Sequence, residues 1–182
     1  MRLRGKLSAK FLILSLSLLA VALVSIGLTH WVTRQLDGGA AAVNEAGRIR
    51  MQTWRLVSAA QLGRPEAEIH GLLDEFDRSL ALLRDGDPHR PLFVPWNERT
   101  QADFQALTRT WEDLRGYWQA PAPIDPERLR SSADAFVSGV DALVLGIEGT
   151  MERLTAGLNM FQLVMMALAV AGAVLLLYVS DL

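Results

Sequence analysis

The sequence predicts an all-α protein: an antiparallel four-helix bundle continuous with two transmembrane helices, paired into a dimer. Three observations carry this. Two stretches, 11–33 and 158–180, hold no Asp, Glu, Lys or Arg, and about 20 apolar residues suffice for a helix to cross a bilayer. All seven prolines fall in three short stretches, at Pro65, at Pro88, Pro91 and Pro95, and at Pro121, Pro123 and Pro126. Between them, apolar residues recur at spacings of three and four, and nowhere with the β-branched alternation of a strand.

The first ten residues carry Arg2, Arg4, Lys6 and Lys10, a basic cluster that marks the cytoplasmic side of a membrane helix. Ser25-Ile26-Gly27 resembles a signal cleavage site. However, the apolar run of 11–33 exceeds the ~7–15 residues of a signal core, so a retained helix is expected. A second apolar span at 158–180 returns the chain to the cytoplasm, with 181–182 beginning a cytoplasmic region that we expect to continue. Residues 34–157 then lie outside, which in a bacterium is the periplasm, and the protein is a multi-pass protein of the inner membrane.

Proline breaks helix interiors and is tolerated in first turns. Its placement divides the outer region into helices over about 34–63, 66–86, 97–119 and 127–157. Glu66 and Glu68 after Pro65 suit a first turn. Asn97 can cap the third helix, and Asp125-Pro126-Glu127 reads as a cap, a first-position proline and an acidic first turn. Ile69, Leu72, Leu73, Phe76, Leu80 and Leu83 form an apolar stripe on the second helix, and Phe104, Leu107, Trp111, Leu114 and Trp118 one on the third. Their spacing follows a helix face, so these aromatics read as core rather than as a ligand cage. On the fourth helix Val137, Val140, Val144, Ile147, Met151, Leu154, Leu158, Phe161 and Met165 make a heptad seam running into the second span.

The first helix has a seam too: Leu36, Ala40, Val43, Gly47, Arg50, Trp54, Val57 and Gln61. A seam packs against a partner helix, yet this one holds a glycine and then an arginine one turn later. If the helix pairs with its own copy across a two-fold axis, two guanidinium groups meet there and repel. An anion between them removes the conflict. Gly47 lets a ligand or a partner backbone approach, and the planar fork of Arg50 matches flat oxyanions such as nitrate or nitrite. Val43, Met51, Trp54 and Val57 would exclude water. A carboxylate or a sulfur oxyanion fits the same charge logic. The plainer reading of Arg50 is a snorkelling side chain, or one paired with a carboxylate such as Asp141 or Glu148. Arg48 and Arg55 lie on another face, where solvation or pairing within the helix, as of Arg48 with Asn44 or Glu45, competes with a role in drawing anions in.

The segment Val43-Asn44-Glu45-Ala46-Gly47-Arg48-Ile49-Arg50-Met51-Gln52-Thr53-Trp54-Arg55 resembles the P-box of the NarX/NarQ nitrate/nitrite sensor histidine kinases, with Thr53 at the hydroxyl position and Trp54 where tyrosine is usual. Phe136 to Val144 and Glu148 to Leu154 resemble that family's fourth helix. The resemblance implies a dimeric periplasmic bundle with one nitrate or nitrite at the dimer interface. It implies contacts from Gly47 and Arg50, and supporting roles for Arg48 and Arg55. It also implies a cytoplasmic response regulator reached through a kinase domain beyond this sequence. A related module serves type IV pilus chemoreceptors, so a chemoreceptor input is the alternative. A purely structural membrane hairpin is a third reading.

Several function classes are disfavoured. There is no cysteine, hence no disulfide or thiolate metal site. His30, His70 and His89 are scattered without metal-ligand spacing. A net charge of −2 argues against nucleic-acid binding. Neither a phosphoacceptor histidine motif nor an ATP-binding glycine motif is present, so we expect no cofactor and no catalysis by these residues, with any enzymatic activity residing in the parent kinase. The expected partners are the anion, a second copy and membrane lipid.

Overall fold

The computed structural model of the protein describes residues 2–119 and 125–180. The described residues are helical, apart from short connections and one isolated bridge between Asp87 and Leu92. Helix α1 runs Arg2–Gln61, α2 Glu66–Asp85, α3 Glu98–Gln119 and α4 Pro126–Ser180. The helix limits expected at 63, 66, 86, 97, 119 and 127 hold to within a residue or two, while α1 and α4 run without a helix boundary through 34 and 157. The prolines at 121 and 123 and the two final residues lie outside the described residues.

The helix ends form as their chemistry dictates. α1 closes with Arg64 N–H donating to Ala59 O (3.0 Å) and Gly63 N–H to Ala60 O (3.2 Å), with Gly63 at φ +62°. This pairing satisfies carbonyls left open by the helix end, and needs a left-handed residue that glycine supplies most easily. Gly86 ends α2 at φ +79°. Asn97 caps α3 reciprocally: Thr100 N–H donates to Asn97 Oδ1 (3.0 Å), and Asn97 N–H to Thr100 Oγ1 (2.9 Å). Asp125 Oδ1 accepts from Glu127 N–H at 3.1 Å, with Pro126 opening α4.

The chain divides into two units, one of residues 35–152 and one of 1–34 with 153–182. α1 and α4 contribute to both. In the 35–152 unit, Ala42, Ala46, Ile49 and Leu56 of α1 are buried with Leu73, Phe76 and Leu83 of α2, Leu107, Trp111 and Leu114 of α3, and Phe136, Val140, Leu143 and Ile147 of α4. Phe76 stacks on Trp111 with centroids 3.7 Å apart, and Phe136 lies 5.3 Å from Phe76 and 5.9 Å from Trp111. The stripes expected on α2 and α3 are therefore core, although Ile69, Phe104 and Trp118 are only partly buried.

Contacts between α1 and α4 run in opposite numerical order. A Cβ built on Gly39 would lie 2.5 Å from Met151 Sδ, while Arg50 pairs with Asp141. The same holds for α3 and α4, with Thr100 close to Gly146 and Leu107 close to Gly139. Gly38 and Gly39 are buried, and side chains there would collide with Phe93 and Met151. Close packing accounts for this glycine pair.

In the other unit, most described side chains between Leu12 and Ile26 and between Met160 and Tyr178 are exposed and apolar. Ser17 and Thr29 donate to carbonyls four residues back, at 2.8 Å each, which satisfies hydroxyls where water is scarce. α1 and α4 each contain an apolar window of mean hydropathy 1.8, with 6% and 0% of it buried within the chain. They are long and apolar enough to cross a membrane.

Phe136→Ala should destabilise the bundle by about 3–5 kcal/mol, the usual loss on deleting a buried aromatic ring. Thermal unfolding of the full chain followed by circular dichroism would read this as a fall in Tm of many degrees. An unchanged Tm would mean that Phe136 does not lie in a packed core.

Candidate anion site on the first helix

α1 presents two stripes in the 35–152 unit, and only one is covered. The covered stripe is Ala42, Ala46, Ile49, Thr53 and Leu56, all buried. The heptad seam read from the sequence lies beside it. Of its members Val57 is buried, Leu36, Val43, Gly47 and Arg50 are half-buried, and Ala40 and Gln61 are exposed. Trp54 is 39% exposed, and Met51 beside it is 54% exposed. Apart from Val57 and the inner side of Val43, which join the core, the seam is thus an open edge of the 35–152 unit.

Arg50 sits on this edge with Nη1 donating to Asp141 Oδ1 of α4 at 2.7 Å. The carboxylate pairing that the sequence left open is therefore present. Both partners are wet, at 42% and 49% side-chain exposure, and pairs of this kind contribute about 0–1 kcal/mol. Beyond the flanking residues and local helix backbone, the one described atom within 4 Å of a Cβ built on Gly47 is Arg50 Nη2, 3.7 Å away. So the guanidinium holds Asp141 with one nitrogen, and its other nitrogen borders the open space over Gly47.

Arg48 and Arg55 turn elsewhere. Arg48 Nη2 donates to Glu75 Oε1 of α2 at 3.0 Å, and Arg48 Nη1 lies 4.0 Å from Glu45 Oε1. Arg55 Nη1 lies 3.7 Å from Glu75 Oε2. The structure therefore brings Gly47 and Arg50 together, and places Arg48 and Arg55 around a carboxylate on a different face. The hydrogen bond from Arg48 holds the Glu75 carboxyl below its ordinary range. Desolvation opposes this, while the Gln52 amide and the charges of Arg55 and Arg48 reinforce it.

Two buried polar residues of the segment went unread in the sequence. Glu45 is 2% exposed, and its Oε2 accepts from Arg90 Nη2 at 3.1 Å. Gln52 is 1% exposed and biases Glu75, yet neither amide atom meets hydrogen-bond geometry with a described group. The available signal was their spacing: seven apart, they share one helix face, and that face is the apolar one. Arg90 also holds Asp87 at 2.8 Å, which ties the α2–α3 connection to α1. Among the described residues no cluster of His, Cys, Asp or Glu is arranged to hold a metal.

Comparison with known proteins gives the family. Residues 31–136 match the family described as the type IV pili methyl-accepting chemotaxis transducer N-terminal domain, PilJ. The chain belongs to that family. It is also similar to the nitrate/nitrite sensor protein NarX of Escherichia coli K12 and of Shigella flexneri, at 27% identity over 135 residues in each case. The aligned part is 73% of this chain and 21% of each relative, so the chain spans about a fifth of the length of the curated relatives it matches. These likenesses support a NarX-like N-terminal sensor module, the input part of a two-component sensor. With the two exposed apolar helices, they also suggest an inner-membrane protein.

The depressed Glu75 carboxyl has a consequence for stability. Its folded value lies below the unfolded 4.5, so its contribution is fully present above that pH and is lost as pH falls through the folded value. Glu75→Gln should lower Tm at neutral pH and flatten the decline of Tm on acidification below about 4.5. Parallel thermal melts across the acid range would check this, and parallel curves for both proteins would contradict it.

Proposed function

We propose that this chain is the periplasmic sensor and membrane portion of a nitrate- or nitrite-responsive sensor histidine kinase, and that Gly47 and Arg50 form its anion site across a two-fold dimer. The observation behind this reading is Gly47. A glycine inside a helix costs about 1 kcal/mol relative to alanine, and among the described residues the side chain nearest to a Cβ built there is the Arg50 guanidinium, at 3.7 Å. Gly38 and Gly39 have neighbours that require them; Gly47 has only a cation. A small flat anion, bound where two such edges meet, would use both the space and the charge. Val43, Met51 and Trp54 would shield it, and Arg48 and Arg55 would act at longer range through the local potential.

On this reading residues 1–10 are cytoplasmic, 11–33 and 158–180 cross the membrane, 34–157 form an antiparallel periplasmic bundle, and 181–182 re-enter the cytoplasm. A kinase domain and a response regulator would lie beyond. Signalling is a population shift: the anion favours the arrangement that brings the two Arg50 side chains together. The resulting displacement between α1 and α4 travels along two helices that contain no break. The family description favours a second reading, in which the same module feeds a chemoreceptor. The sequence following Leu182 in the gene separates the two, since a kinase needs a dimerisation histidine and an ATP-binding domain.

Isothermal titration of nitrate into the full chain in lipid nanodiscs should give saturable heat with one anion per two chains, and Arg50→Ala should abolish it. Asp141→Asn should strengthen binding severalfold, because it frees the guanidinium and removes a neighbouring negative charge. Absence of heat with both nitrate and nitrite in a folded dimer would sink the nitrate/nitrite reading. Weaker binding in Asp141→Asn would show that Asp141 helps to build the site rather than competing for Arg50.

A further inference from the structure

A second site lies away from α1. Where α2 ends beside α3, a groove of about 620 Å³ opens, lined by Arg84, Trp96, Gln101, Phe104, Gln105 and Arg109 among others. No residue of α1 or α4 lines it, so it is separate from Gly47 and Arg50. Its volume falls within the range of about 300–1,000 Å³ typical of small-molecule sites.

The lining has a definite chemistry. Trp96 and Phe104 meet edge to face with centroids 5.4 Å apart. Trp96 is held between proline-fixed backbone at Pro95 and the capped start of α3, yet remains 38% exposed. No carboxylate lines the groove. The charge of Arg84 is largely answered by Asp85, through two hydrogen bonds of 2.9 Å. Arg109 makes no ion pair among the described residues, although Glu112 and Asp113 lie within the next turn of α3. The Thr108 hydroxyl is already committed to Phe104 O at 2.9 Å. Gln101 and Gln105 add amides one turn apart along the same wall. The groove therefore combines an aromatic floor, an uncommitted guanidinium and two amides. A flat apolar body can lie against Trp96 and Phe104, and a carboxylate can take the fork of Arg109.

We infer that this groove binds a small aromatic carboxylate, with its ring on Trp96 and Phe104 and its carboxylate on Arg109. This would give the sensor a second input, independent of the anion site. The probe is indole-3-acetate, with indole-3-ethanol as its uncharged counterpart, titrated by calorimetry into the full chain in lipid nanodiscs. We expect saturable binding with one ligand per chain. Arg109→Gln should weaken it at least tenfold, Trp96→Ala should weaken it similarly, and indole-3-ethanol should bind at least tenfold more weakly. Arg50→Ala and saturating nitrate should leave it unchanged, which separates this proposal from the α1 site. Circular dichroism would confirm that the variants are folded. No saturable binding of indole-3-acetate would overturn the inference. So would binding indifferent to Arg109→Gln, or equal affinity for the uncharged counterpart.

Discussion

Between Gln35 and Gln61, helix α1 has to satisfy two surfaces at once. One stripe, through Ala42, Ala46, Ile49, Thr53 and Leu56, closes the core of the 35–152 unit. The neighbouring stripe, through Val43, Gly47, Arg50 and Trp54, remains at the edge with half-buried and exposed side chains. The small residues of the first stripe bring the helix close to its neighbours, and Gly39 lets Met151 of α4 come within collision distance of any larger side chain. That close fit sets where the second stripe lies. It leaves the Arg50 guanidinium on the surface within reach of Asp141, instead of buried without a partner, where desolvation of a charge costs several kcal/mol.

This division explains which parts of the molecule could be read from the sequence. Helix limits were legible because their determinants are local: the proline at 126, the carboxylate of Asp125 and the side chain of Asn97 act within a few residues. The stripes on α2 and α3 were legible because each of those helices has one apolar face. α1 has two overlapping faces, and alternating spacings of four and three fit both 43–47–50–54 and 42–46–49–53. Periodicity found the more unusual stripe, the one containing an arginine, while the core of the 35–152 unit uses the plainer one. The partner of Arg50 was only one of two candidates in the sequence, since Asp141 and Glu148 lie seven apart on α4 and share a face. The limits of the α2–α3 connection were legible from its prolines, but its pairings were not. Arg90 reaches Glu45 across 45 residues of chain, and the groove beside Arg109 depends on where the α2–α3 connection places Trp96. Long-range pairings of that kind leave no mark on local spacing.

The polar contacts of α1 fall into two classes that differ in strength. Glu45 is buried and leans on Arg90, so breaking that pair would leave a carboxylate in a dry place. Arg48 and Arg55 share Glu75, and the proton equilibrium of that carboxyl registers their grip. These contacts fasten α1 to α2 and to the connection after it. The contact from α1 to α4 through Arg50 and Asp141 is exposed at both ends and contributes at most about 1 kcal/mol. Within the unit of residues 35–152, the Arg50–Asp141 link is exposed at both ends, whereas the Glu45–Arg90 link has one buried end.

A small ligand can exploit such a difference. The best small ligands gain up to about 1.5 kcal/mol per heavy atom, so even an anion of a few atoms can outbid a link worth at most about 1 kcal/mol. It could not break the Glu45–Arg90 contact at similar ease. On the proposed reading, an anion at Gly47 would therefore leave α1 fixed to α2 and change only its relation to α4. A conformational equilibrium moves only by the difference in affinity between its two states. That difference is largest where the ligand replaces an existing contact in one state and not in the other. On the proposed reading Arg50 meets this condition when the anion, bound over Gly47, draws the guanidinium off Asp141, which occupies one of its nitrogens. An arginine with no intrachain partner would bind the anion more tightly but would report it less well, because its release from α4 would not be part of the exchange.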